Sequence, residues 1–98
     1  MNRQEAEKMA QEYIDSHCTH KVVILPDSTI EKPYGWIFDY EWTRYLDGKT
    51  KHRHLHGRIL VEKSGNIVQF PTYIPSYEAI RRYEAGEPLL PPRKTQAG

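Results

Sequence analysis

Two histidine clusters are the residues in this chain whose types and spacing best suit chemistry. His17-Cys18-Thr19-His20 puts three soft-metal ligands within four residues, and His52, His54 and His56 alternate, so an extended backbone would set them on one face. A structural zinc site draws four ligands in paired spacing, and a single cysteine falls short of the cysteine-rich patterns. The clusters therefore read as solvated loop histidines, with no metal and no other cofactor expected. Asp39 and Glu41 also alternate on one face of an apparent strand, the placement acid–base chemistry needs when one carboxylate holds a proton and the other stays ionised. A wet sheet face gives no cause for a raised pKa, so solubility or partner contact is the better reading of the pair. No glycine-rich phosphate loop follows a strand, no serine elbow is present, and Cys18 has no catalytic neighbourhood. The chain reads as non-enzymatic.

Residues 44–58 mix basic side chains with Tyr45 near the aromatic stretch that precedes them, the composition of a single-strand nucleic-acid platform. Fourteen basic residues against thirteen acidic ones give a net charge of +1, which supplies no bulk attraction to nucleic acid or an anionic membrane. No membrane partner is expected either, because there is no membrane-length apolar run and no charged-then-apolar leader. With one cysteine no intramolecular disulfide can form, and a reducing cytoplasm is the expected compartment.

The element that must position these groups is residues 34–43. Tyr34, Trp36, Phe38, Tyr40 and Trp42 fall on every second residue, with Ile37, Asp39 and Glu41 between them. A strand lays all five rings on one face, whereas a helix would scatter them around its axis. This is read as the central strand of a sheet, its second face wet. Gly35 near its start marks a bulge or a close backbone approach.

Upstream, Ala6, Met9, Ala10, Tyr13 and Ile14 stand at helical spacing over residues 3–17, with Asn2 and Glu5 placed as a capping box. Residues 21–25 form a short apolar strand stopped by Pro26 and Asp27, and 27–33 a polar loop. Residues 44–54 read as a mobile connection. Alternation returns from Leu55, with Leu55, Gly57, Ile59 and Val61 on one face and His56, Arg58, Leu60 and Glu62 on the other, and the Ser64-Gly65 turn joins this strand to 66–70 as a hairpin. Residues 75–85 make a second helix, with Tyr77 and Ile80 on its inner stripe and Gly86 as the stop.

At 98 residues the chain is one domain, and a hydrophobic fraction of 38% concentrates its core in these few elements. The expected fold is α+β over residues 1–86, an N-terminal helix and a short C-terminal helix packed on one face of a roughly four-stranded antiparallel meander. Residues 87–98 are a loosely held, proline-containing tail.

The order of these elements carries a resemblance. The helix with Ala10 and Tyr13, then Val22-Val23-Ile24, then Pro33-Tyr34-Gly35-Trp36-Ile37-Phe38-Asp39-Tyr40, then Gly57 to Lys63, Ser64-Gly65-Asn66-Ile67, and Pro75 to Glu84 with Tyr83-Glu84 near the helix end, resembles the YrhB-like family, also called the immunity protein 35 family. The likeness spans about residues 5–85. The chain departs from the family pattern at the basic, histidine-rich 51–56, where a smoother Gly-Asn-Gly-Pro-like lead is usual, and at Pro71-Thr72-Tyr73-Ile74, where a small Gly-Thr connection is usual. The resemblance implies a small cytoplasmic bacterial domain that neutralises a cognate polymorphic toxin; a chaperone-like role is also attached to the family. It transfers no catalytic motif.

The expected partner is thus a protein toxin occluded by a sheet face or its loops, with Asp39, Glu41, Arg44, Tyr45 and Arg58 as candidate contacts. The alternative is a chaperone-like holdase or peptide-binding module. An exposed edge strand is also suited to pairing two copies of the chain.

Overall fold

The structure, a computed structural model, describes residues 1–51 and 56–89. Its elements are α1 (Arg3–His17), β1 (Val22–Lys32), β2 (Gly35–Trp42), α2 (Thr43–Leu46), β3 (Gly57–Glu62), β4 (Ile67–Phe70) and α3 (Ser76–Ala85). The strands form one antiparallel sheet in the order β1-β2-β3-β4. The α+β class, the two helices and the meander are as the sequence leads one to expect. Residues 90–98 of the expected tail, and His52, His54 and Leu55, lie outside the described residues.

The placement of α3 corrects the expectation of two helices on one face. Ala6, Ala10 and Ile14 of α1 pack with Val22, Ile24, Trp36, Phe38, Ile59 and Val61, whereas Ala79 of α3 packs with Ile37, Leu60 and Phe70. Because Ile37 and Leu60 alternate with Phe38 and Ile59 along their strands, these two clusters occupy opposite faces of the sheet. The reason is that Ile37, Leu60 and Val68 form an apolar patch that water would otherwise cover, and the helix following β4 is the free element able to bury it. The second face of β2 is thus not wet along its length.

Small residues set how closely α1 approaches. Ala6 and Ala10 are fully buried, so the helix backbone sits down on Trp36 and Phe38 with Met9 and Tyr13 at its flanks. Its start is fixed by the capping box: the Asn2 side chain accepts from the Glu5 amide at 2.8 Å, and the Glu5 carboxylate accepts from the Asn2 amide at 2.9 Å.

Four of the five alternating aromatics, Trp36, Phe38, Tyr40 and Trp42, pack on the α1 side. Tyr34 does not. It precedes β2 in the turn with Pro33 and joins the α3 side, its ring centroid 4.9 Å from that of Tyr83. Gly35 is where the chain passes so close to β3 that an added Cβ would collide with the Val61 carbonyl oxygen and come within 2.9 Å of Glu62 Cα.

The first strand is longer than residues 21–25. It continues through Pro26 to Lys32, with a register shift between Leu25 and Ile30. Pro26 is tolerated because Leu25 faces β2 in the ladder, which turns position 26 outward, where no amide is needed. That outward edge is closed by α1: Gln11 Nε2 donates to the Val22 carbonyl at 3.0 Å, the Ile24 amide donates to Gln11 Oε1 at 3.2 Å, and Arg3 Nη2 donates to the Pro26 carbonyl at 2.7 Å. Gln11 imitates the peptide group of a neighbouring strand. Gln11→Ala is expected to destabilise the fold by about 1–2 kcal/mol, since the Ile24 amide is left without an acceptor in a half-covered position; thermal unfolding measures it.

After β2 the chain forms the short helix α2 and a turn at Gly48, in place of the mobile connection expected from residue 44. The β3–β4 hairpin forms at Ser64-Gly65, with the Gly65 amide donating to the Glu62 carbonyl and Gly65 at φ 97°, which glycine adopts freely.

The stripe that α3 buries is Ala79, Ile80 and Tyr83; Tyr77, expected on it, is 73% exposed. Tyr77 lies about 200° around the helix from Ala79 and so faces water. Two tyrosines pin the helix, Tyr34 donating to Glu84 at 2.7 Å and Tyr83 donating to Glu62. Burial and the Glu62 carboxylate push the Tyr83 hydroxyl up to about 12. On the outer face Arg81 and Arg82 both donate to Glu78, at 2.9 and 2.7 Å, and hold its carboxyl down at about 2. A depressed carboxyl pKa stabilises the fold above the ordinary carboxylate range, and the contribution is lost as pH falls through about 2. Wild type is therefore expected to be more stable than Glu78→Gln at neutral pH and to lose that advantage in acid, read by denaturant unfolding at several pH values.

Candidate functional site

α3 covers only part of its sheet face. Beyond Ile37 and Leu60, the β2–β3 register sets Asp39 opposite Arg58, with side chains on that same face. Arg58 Nε donates to Asp39 Oδ1 at 2.9 Å, and the two side chains retain 19% and 30% of their exposure, Arg58 the smaller. The pair lines a cleft of about 300 Å³ that also draws on Leu25, Ser28, Tyr40, His56, Gly57 and Thr72. Three features open it: the irregularity between Leu25 and Ile30 that carries Ser28 off the ladder, the end of β3 at Gly57, and the chain after Pro71 that carries Thr72.

The cleft is polar and nearly neutral. Asp39 and Arg58 cancel each other's charge, while Ser28, Thr72 and His56 add groups that both donate and accept. The guanidinium is not fully used, for its Nη1 is buried with no hydrogen-bond partner among the described residues. Gly57 allows the Tyr40 ring to lie across it; a Cβ there would meet the ring, its Cε2 at 2.8 Å. Burial pushes the Tyr40 hydroxyl up, and Gln69 Nε2 donates to it at 3.4 Å.

The other expected contacts are dispersed. Glu41 is 1% exposed and opposes Val23, so the open carboxylate pair with Asp39 does not exist as expected; its Oε2 accepts from the Trp42 amide at 3.2 Å. Burial differs along that face: Asp39 lies at the open cleft, whereas Glu41, two residues on, is enclosed. Arg44 and Tyr45 sit on α2, outside the cleft lining, and the Arg44 guanidinium lies 5.8 Å from the Trp42 ring.

The first histidine cluster is likewise divided. The His17 ring stacks on Tyr13 at 4.1 Å, whereas His20 lies 5.6 Å from Trp42. Burial, with Asp15 nearby, raises the Cys18 thiol pKa. Among the described residues no three histidine, cysteine or acidic side chains converge as metal ligands. Of the second cluster only His56 is described, beside the cleft.

Of the contacts expected from the sequence, Asp39 and Arg58 line the cleft, and His56 lines it beside them. Sequence reasoning missed Ser28 and Thr72, which were read as loop and connection; nothing local marks either. Comparison of the chain with protein-family models, with curated proteins and with solved structures finds no match in any of the three. Among the described residues no helix is long and apolar enough to cross a membrane.

Proposed function

We propose that this chain is a non-enzymatic protein-binding domain, an immunity protein that neutralises a cognate toxin by occluding it, and that the Asp39–Arg58 cleft is the centre of its contact surface. The observation that carries the binding site is the half-covered face: a polar cleft set on strands, with a guanidinium Nη1 that has no acceptor among the described residues. A partner carbonyl or carboxylate inserted there, met by a small rotation of the guanidinium, recovers part of the roughly 1–3 kcal/mol that an unsatisfied buried donor costs. The toxin as partner rests on the resemblance to the YrhB-like family.

A specific interface buries about 800 Å² per partner, roughly an eighth of the 6664 Å² this chain exposes. The contact must therefore extend past the cleft onto its rim, where Ser28 and Thr72 lie. Capture from the source cell's lysate on the immobilised chain, with a high-salt wash and mass spectrometry, tests the reading. One stoichiometric partner with a toxic domain is expected. A spread of unrelated unfolded proteins would instead establish the chaperone-like role.

A further inference from the structure

The two edges of the sheet are treated differently, and the difference points to a second interaction surface. At the β1 edge the Val22 and Pro26 carbonyls and the Ile24 amide are taken by Gln11 and Arg3. Among the described residues the β4 edge has no such cover. In the hairpin the Glu62 amide donates to the Asn66 carbonyl, so with Val61 opposite Ile67 the hydrogen-bonding positions alternate, and Val68 and Phe70 turn their peptide groups toward β3. Ile67 and Gln69 therefore turn theirs outward. Neither of these backbone positions has a partner among the described residues.

We infer that β4 is a self-association edge, at which two copies of this chain pair antiparallel about Val68 to make one continuous eight-stranded sheet. The occupant follows from the edge's own symmetry. A two-fold axis at Val68 sets Ile67 of each copy opposite Gln69 of the other, and both residues present an amide and a carbonyl outward, so four main-chain hydrogen bonds form with no group left over. The strand Ile67-Val68-Gln69-Phe70 holds no charge and no proline, so the pairing places no like charges opposite one another. Natural edges that must remain single carry such devices, as β1 does. This inference stands apart from the toxin-binding reading.

Sedimentation of the full chain over a wide concentration range tests it. The mass is expected to rise from the 11.5 kDa of one chain toward twice that value. Gln69→Pro removes an outward amide and the Gln69 side-chain bonds but no main-chain β3–β4 bond, so it is expected to stay monomeric with an unchanged circular dichroism spectrum. Gln69→Ala loses the side-chain bonds to Tyr40 and Arg58 but keeps the amide, and is expected to associate like wild type. A wild-type chain that remains a monomer at every concentration, or a folded Gln69→Pro that still pairs, overturns the inference. Should Gln69→Pro fail to fold, hydrogen exchange of the wild type decides: slowing of the Ile67 and Gln69 amides with concentration supports it, and exchange independent of concentration overturns it.

Discussion

Gly35→Ala is expected to destabilise this domain by about 3 kcal/mol, at the upper end of what a misplaced methyl group costs in a packed interior. The added Cβ collides with backbone: the Val61 carbonyl oxygen lies in its path, and Glu62 Cα is 2.9 Å away. A side chain could swing aside, but these atoms belong to the central β2–β3 ladder. Relief requires the two strands to separate where Trp36 pairs with Val61, and that pair carries part of the α1-side core. Denaturant unfolding should show a midpoint well below wild type, or no cooperative transition at 25 °C. Unchanged stability would mean that the close passage of β2 over β3 is wrong.

Phe38→Ala is expected to cost about 3–5 kcal/mol, the range for removing a buried aromatic ring. Phe38 is fully buried at the middle of β2, paired with Ile59 and facing the α1 stripe. The sheet bounds one side of the resulting void, and Ala6 and Ala10 offer too little side chain to collapse into it. Much of so small a domain's stability is at stake, since whole domains hold only about 5–15 kcal/mol. Far-ultraviolet circular dichroism with urea measures the loss. Phe38→Leu retains most of the volume and should fall well short of it.

What the sequence disclosed was local. The alternation from Trp36 to Trp42, the Asn2–Glu5 capping box, the Ser64-Gly65 turn and the Gly86 helix stop each lie within a few residues, so side-chain type and spacing suffice to read them. What it concealed depended on pairing at a distance. Pro26 reads as a strand stop until the ladder shows it facing outward, and the side on which α3 lies is decided by an apolar patch assembled from β2, β3 and β4. Glu41 reads as open because its alternation with Asp39 is visible while its depth of burial is not. The site was half legible for the same reason. Asp39 and Arg58 are evident as charges on strands, but the register that joins them spans a connection of undetermined path in the sequence.

The measurement that bears most directly on the central claim is the affinity of the captured toxin domain for the wild-type chain and for Arg58→Gln, determined side by side by titration calorimetry. The variant keeps the side chain's polarity and much of its length while removing the charge and the guanidinium donors that meet Asp39 and the cleft. Arg58→Gln, still folded, is expected to bind at least about tenfold more weakly, as truncating a central charged contact does. Equal affinity of the two chains, or the absence of any stoichiometric toxin partner to titrate, would contradict the claim.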